Sequence, residues 1–222
     1  MQTNSKWLFI ALAALAAAAF LTATSPALAG PGYVNFTIGQ KSFDSADWSP
    51  IDKQTTFGAE SAFGPSKWPV QLAAYLLRSS QEKTAEFDDG FSGTTPVTVD
   101  ATTSEFGFGL NKAFGEKKIR PFIGAGGVYT NTEITLRQQG TSASDNGNGF
   151  GFWGGAGAFY RVGPSFNIGA GVRYSSATVD FGPFNGINAS YDYTAVNAGG
   201  VAYHFLIGWS WPKMPKVTNN PK

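Results

Sequence analysis

Along most of this chain the apolar positions recur every second residue. That is the spacing of a β-strand, whose side chains alternate between two faces, and not the 3.6-residue spacing of a helix. The last clear segment shows it best. Val201, Tyr203, Phe205, Ile207, Trp209 and Trp211 alternate with Ala202, His204, Leu206, Gly208 and Ser210. One face is therefore an aromatic and aliphatic stripe. Eleven residues at about 3.3 Å each, tilted by about 40°, rise roughly 28 Å, the height of the hydrocarbon layer a membrane strand must cross. Pro212 ends the stripe.

The same parity recurs upstream. Val34, Phe36 and Ile38 oppose Asn35, Thr37, Gly39 and Lys41, and Trp68, Val70, Leu72, Ala74 and Leu76 oppose Gln71, Ala73, Tyr75 and Ser79. Phe106, Phe108, Leu110 and Phe114 oppose Glu105, Gly107, Gly109 and Asn111, while Phe166, Ile168, Ala170, Val172 and Tyr174 oppose Asn167, Gly169, Gly171, Arg173 and Ser175. Segments 55–63 and 149–161 follow more loosely, and 119–131 is too rich in glycine for its outer face to be read. Eight strands result. Short turns at Gly64-Pro65-Ser66-Lys67, Gly115-Glu116-Lys117-Lys118 and Gly163-Pro164 alternate with long polar links at 44–53, 80–96, 132–148 and 177–193. The pattern predicts an all-β, eight-stranded, antiparallel up-and-down transmembrane β-barrel with long extracellular loops and short periplasmic turns.

Composition separates this barrel from a soluble sandwich. Charged residues are 14% of the 222-residue chain, against roughly 25% in soluble domains, and the second face of each strand carries glycine, alanine, asparagine and serine. That suits a narrow lumen. Tyr33, Phe63, Trp68, Phe114, Tyr160, Phe166, Trp209 and Trp211 lie near strand ends, where an interfacial girdle is expected. A net charge of +1 gives no reason to expect nucleic acid.

The first residues read as an export leader. Lys6 precedes an apolar run from Trp7 to Leu21, too short to cross a bilayer, and Ala27-Leu28-Ala29 places cleavage between Ala29 and Gly30. The expected organisation is a leader at 1–29, a barrel domain at 30–211 and a short periplasmic tail at 212–222.

Three segments resemble one known group. Arg120-Pro121-Phe122-Ile123-Gly124-Ala125-Gly126-Gly127-Val128-Tyr129, Asn167-Ile168-Gly169-Ala170-Gly171-Val172-Arg173-Tyr174 and Gly200-Val201-Ala202-Tyr203-His204-Phe205 are similar to strands of small OmpA-type and opacity-type outer-membrane proteins, a porin-like family. The resemblance spans about 33–211 and specifies a barrel, not an activity. The family pattern often stops at a terminal aromatic, whereas this chain continues through Trp211, which is then the candidate closing residue for the outer-membrane assembly machinery. The resemblance implies outer-membrane lipid and lipopolysaccharide as surroundings.

Parity turns Lys41, Glu60, Glu105, Arg161, Arg173 and His204 toward the lumen. Charges in a tight interior must pair, so these are candidates for an ion-pair plug or for the lining of a narrow pore. The six-residue stripe from Val201 to Trp211 is expected to face lipid. His204 is the only histidine and there is no cysteine. Neither a zinc site nor a cofactor is expected, and the residues around His204 do not match the His-Ser motif of lipid A deacylases. Gly149-Phe150-Gly151-Phe152-Trp153-Gly154 fits the dinucleotide spacing but continues a strand. Asp88-Asp89-Gly90 and Asp145-Asn146-Gly147-Asn148-Gly149 read as turns and not as calcium loops. The expected role is structural or at the surface, without enzymatic activity, through loops that meet a ligand. A narrow porin or hydrophobic-solute channel is the alternative, and a lipid A-modifying enzyme comes third.

Overall fold

The structure is a computed structural model that describes residues 30–88, 94–115, 118–138, 140–181 and 195–211. The segments expected to be a leader, 1–29, and a periplasmic tail, 212–222, lie outside the described residues. Eight long strands are β1 (Gly32–Ser42), β2 (Lys53–Phe63), β3 (Gln71–Asp88), β4 (Thr94–Ala113), β5 (Ile119–Gln138), β6 (Thr141–Val162), β7 (Phe166–Val179) and β9 (Gly200–Trp211). A two-residue strand, β8 (Val196–Asn197), pairs with the end of β7. Each long strand pairs antiparallel with its neighbour, and β1 meets β9 from Gly32↔Trp211 to Ser42↔Val201, so the sheet closes. Closure leaves no edge, which is the condition for placing strands in hydrocarbon.

The faces sort as the parity requires. Phe36, Ile38, Phe57, Phe108, Leu110, Tyr203, Phe205 and Ile207 point outward and are exposed, whereas Asn35, Thr37, Glu105, Asn167 and Ser175 are buried. An apolar outer belt over a polar interior is a solvent arrangement inverted relative to a water-soluble core. The glycine-rich strand β5 takes its orientation from its ends, with Ile119 and Ile123 outside and Phe122 and Val128 inside. Tyr33 departs from the expected girdle. It is buried in the lumen, its ring 5.3 Å from that of Phe159, because odd residues of β1 face inward. Trp68 and Val70 precede β3 and belong to the turn, where the Trp68 amide donates to the Pro65 carbonyl.

The interior is filled by pairing aromatics with glycines. A β-carbon on Gly107 would overlap the ring of Tyr75, and one on Gly124 would lie 3.0 Å from the Trp153 ring. Eight strands leave room for either a ring or a side chain opposite it, not both.

Two of the long polar links are themselves largely strand. β3 and β4 remain paired from Gln71↔Asn111 to Asp88↔Thr94, and β5 and β6 remain paired as far as Gln138↔Thr141. Asp145 to Gly149 therefore lie in β6 and not in a turn. Asp88 ends β3, and Asp89-Gly90 fall outside the described residues. These extensions were hidden because their pattern changes sign. Leu76, Phe106, Tyr129 and Phe150 form one line of outward cross-strand partners, and the next outward line is Arg78, Ser104, Asn131 and Asn148. Beyond that line the outer face is polar, with Arg137 bridging Glu82 at 3.4 Å and Asp100 at 3.6 Å. The inner face there becomes apolar, with Val99, Ala101, Ile134, Leu136 and Val179 in a second core. The outer surroundings change from lipid to water between the two lines.

That boundary makes a quantitative prediction. Arginine in place of a lipid-facing residue costs about 2–4 kcal/mol near the bilayer centre and about 0–1 at its edge. Ile123→Arg should therefore destabilise the refolded barrel in vesicles by about 2–4 kcal/mol, while Thr135→Arg, on the same face of β5, changes stability by less than about 1 kcal/mol. Denaturant titration measures both.

Candidate functional site: a polar chain through the lumen

The lumen holds a continuous run of polar contacts. Lys41 on β1 is fully buried. Its ammonium lies 2.5 Å from Glu105 Oε1 on β4, donates to the Ala198 carbonyl at 3.1 Å, and sits 4.4 Å from the centre of the Phe43 ring. Glu105 Oε1 also accepts from the Ser175 hydroxyl at 2.7 Å, and Oε2 accepts from the Tyr75 hydroxyl at 3.5 Å. Arg173 on β7 lies across the Tyr75 ring at 3.8 Å, within 5.6 Å of the Trp153 ring, and donates to Glu60 Oε2 at 2.7 Å. Glu60 Oε1 accepts from Asn35 at 3.1 Å; Asn167 donates to Asn35 Oδ1 at 3.5 Å and to the Ser210 hydroxyl. The run thus passes from Ala198 at one mouth to Ser210 near the other, linking strands that are distant in sequence.

Each buried charge in these two pairs has an opposite charge and further partners. Those extra bonds are what make burial of an ion pair tolerable, since desolvation cancels much of the direct attraction. Beside the Glu60–Arg173 pair remains a void of about 20 Å³ lined by Glu60, Tyr75, Trp153, Arg173 and His204, room for about one water.

Arg161 and His204 are buried but belong to neither ion pair. Of the six inward candidates, these two have no ion-pair partner among the described residues. His204 on β9 packs against β7 at Gly171, where a β-carbon would lie 2.9 Å from Nε2. Ser175 and Ser210 are bonded to Glu105 and Asn167 respectively. Arg161 sits near the short-turn end of β6, its Nε and Nη2 without a hydrogen-bond partner. Among the described residues no cluster of metal-ligating side chains occurs.

Sequence reading missed the aromatic and amide members of the run: Tyr75, Trp153, Asn35 and Asn167. Parity places Tyr75, Asn35 and Asn167 inside, so they were available as partners; attention to charge alone passed over them. Trp153 lies in a segment whose alternation is blurred by glycine.

The mouth at the long-link end is filled by chain. The link after β1 turns inward through a single helical turn, α1 (Ser45–Trp48), capped by Asp44, which accepts from the Ala46 amide at 3.0 Å. Trp48 is buried, stacks on Phe43 at 4.7 Å and donates from Nε1 to the Asn197 carbonyl at 2.8 Å. Phe43, Trp48, Ile51, Phe181 and Ala198 join the second core. The Lys41–Glu105 pair lies directly beneath this apolar layer.

A closed eight-strand barrel with a lipid-type belt and a polar interior defines the class of outer-membrane β-barrel proteins. The sequence matches the family model of the outer membrane protein beta-barrel domain over residues 8–205, and the chain belongs to that family and to the bacterial outer membrane. No curated protein matches the sequence significantly. Among solved structures, a major outer membrane protein from Thermus thermophilus superposes with a TM-score of 0.53 at 10% identity, covering 83% of this chain and 98% of its own. OprG of Pseudomonas aeruginosa gives 0.48 at 14% identity, covering 83% and 97%. Ail of Yersinia pestis, solved in complex with the heparin analogue sucrose octasulfate, gives 0.48 at 11% identity, covering 82% and 99%.

The ion-pair chain predicts a non-additive response. Glu60→Gln strands a buried guanidinium and should cost about 3–5 kcal/mol. Adding Arg173→Met to Glu60→Gln should recover most of that loss. A double-mutant cycle by denaturant unfolding in vesicles checks it, and simple additivity would contradict a coupled pair.

Proposed function

We infer that this protein is a structural and surface barrel of the outer membrane, not an enzyme, with its lumen plugged by the paired charges and stoppered at the long-link end. The observation that carries this reading is the polarity inversion along β3 to β6. Strands that keep pairing past the lipid belt, polar outside and apolar inside, rise into water as a self-supporting stalk. That end faces the cell exterior, and the polar outer surfaces of the hairpins and the links above them meet partners. Lipopolysaccharide and phospholipid surround the belt, residues 1–29 serve as a leader cleaved after Ala29, and the stripe ending at Trp211 is read by the assembly machinery.

Two measurements test this. The chain has no cysteine, so single cysteines report cleanly. Thr135→Cys should react with an impermeant maleimide on intact cells, and Ser66→Cys should not; the reverse labelling would invert the orientation. In planar bilayers the refolded protein should show no steady conductance, while Phe43→Ala/Trp48→Ala, which empties the stopper, gives openings. Steady conductance of the unaltered protein would favour the narrow-pore reading.

A further inference from the structure

Charge is sorted along the barrel axis. Apart from Glu60 and Glu105 in the lumen, every described aspartate and glutamate lies toward the long-link end, in the segment 44–52, in the extensions of β3 to β6 past the belt, or just after β7. The short-turn end carries Lys67, Lys112 and Lys118, all exposed. Among the described residues none of these three takes part in an ion pair. Glu116, the one acid of the short turns, lies outside the described residues and stands in sequence between Lys112 and Lys117-Lys118. The sequence that follows Trp211, the short-turn end of β9, adds Lys213, Lys216 and Lys222 and no acidic side chain.

Backbone bonding holds the three lysines in one arc of the rim. Gln71 pairs with Asn111, so the turn before β3, which carries Lys67 and Trp68, adjoins Lys112 at the end of β4. That turn is closed by the Trp68 amide on the Pro65 carbonyl at 2.9 Å. Lys112 pairs with Ile123 on β5, and Lys118 immediately precedes β5, its carbonyl accepting from the Arg161 amide at 2.8 Å. The arc borders the apolar belt. Lys112 follows Phe106, Phe108 and Leu110 on the outward face of β4, and its ammonium sits 5.5 Å from the centre of the Phe114 ring. Trp68 and Ile119, each next in sequence to a lysine, are 53% and 61% exposed. A lysine stem covers apolar surface while its ammonium reaches the interface, and an indole anchors at headgroup depth. The outer face of β4 thus changes from apolar to cationic within one alternation.

We propose that this arc is a docking surface for anionic phospholipid. The phosphodiester of the headgroup meets the exposed ammoniums of Lys67, Lys112 and Lys118, and the acyl chains lie against Leu110, Phe114 and Ile119. A zwitterionic headgroup brings its own cation and gains less from the arc. Lysine attracts as a mobile point charge, which suits a fluid headgroup and not one fixed oxygen geometry. Which leaflet is engaged, the periplasmic one, rests on the orientation proposed above; the preference for anionic lipid does not. Such a surface couples anchoring of the barrel to the lipid composition of that leaflet.

The test uses the full barrel refolded in phosphatidylcholine bilayers, with heat-modifiable gel migration confirming folding. Electron paramagnetic resonance reads the share of chain-labelled lipid immobilised by the protein, for spin-labelled phosphatidylglycerol and phosphatidylcholine in turn. At low ionic strength the anionic lipid should be held about threefold more strongly, averaged over the circumference, and the preference should fall toward parity at about 1 M salt. Lys67→Gln/Lys112→Gln/Lys118→Gln should remove most of the preference. Lys53→Gln/Arg78→Gln, at the opposite end, should leave it. The proposal is overturned if the parent shows no preference, if the triple variant keeps it, or if the opposite-end variant loses as much. Such a failure leaves the orientation untouched, because the two leaflets of these bilayers are alike and maleimide labelling reads orientation separately. If the triple variant does not fold, Lys112→Gln alone decides: a reduced preference supports the surface, and an unchanged one overturns it.

Discussion

The absence of water around the middle of the strands governs the rest of this structure. A backbone amide in hydrocarbon must find its partner within the sheet, so the sheet has to close. Closing with eight strands fixes a bore only a few side chains wide. That bore dictates the alternation of glycine with Tyr75, Trp153, Phe122 and Phe159. It also means that any charge admitted inside sits in a low dielectric, where partnership decides its cost. Lys41 with Glu105 and Arg173 with Glu60 meet that condition through carboxylate, hydroxyl, amide and aromatic contacts together.

The same constraint, removed, explains the upper part of the molecule. Past the line from Leu76 to Phe150 the surroundings are aqueous, and the strands revert to the ordinary rule of apolar inside and polar outside. One continuous hairpin thus obeys two opposite solvents without a break in its hydrogen bonding. The strand register passes through the boundary unchanged while the chemistry of each face exchanges.

This accounts for which parts could be read from the sequence. Parity alone orients Phe36, Leu110, Ile168 and Phe205 correctly, because lipid solvates every second residue of a spanning segment. It is silent on 119–131, where glycine and alanine on both faces erase the contrast. It misplaces 80–88 and 132–148 as loops, since a search for an apolar outer face rejects segments whose apolar face has moved inside. The inward set of charges follows from parity, but their pairing does not. Glu60 and Arg173 are 113 residues apart in sequence, and nothing local distinguishes Arg173, which has a carboxylate, from Arg161, which does not. Tyr33 shows the converse error, where position at a strand end was weighted above the phase of the strand.

The stopper at the long-link mouth is built from the segments that flank the first and last strands, 43–52 and 195–199. Trp48 reaches Asn197 only when β1 lies against β9. The bung and the seam are therefore one event: an unzipped sheet has a gaping top and an exposed indole, and a zipped one has neither. Completion of the cylinder thus brings these apolar side chains together, and a half-formed intermediate betrays itself by the grease it leaves showing.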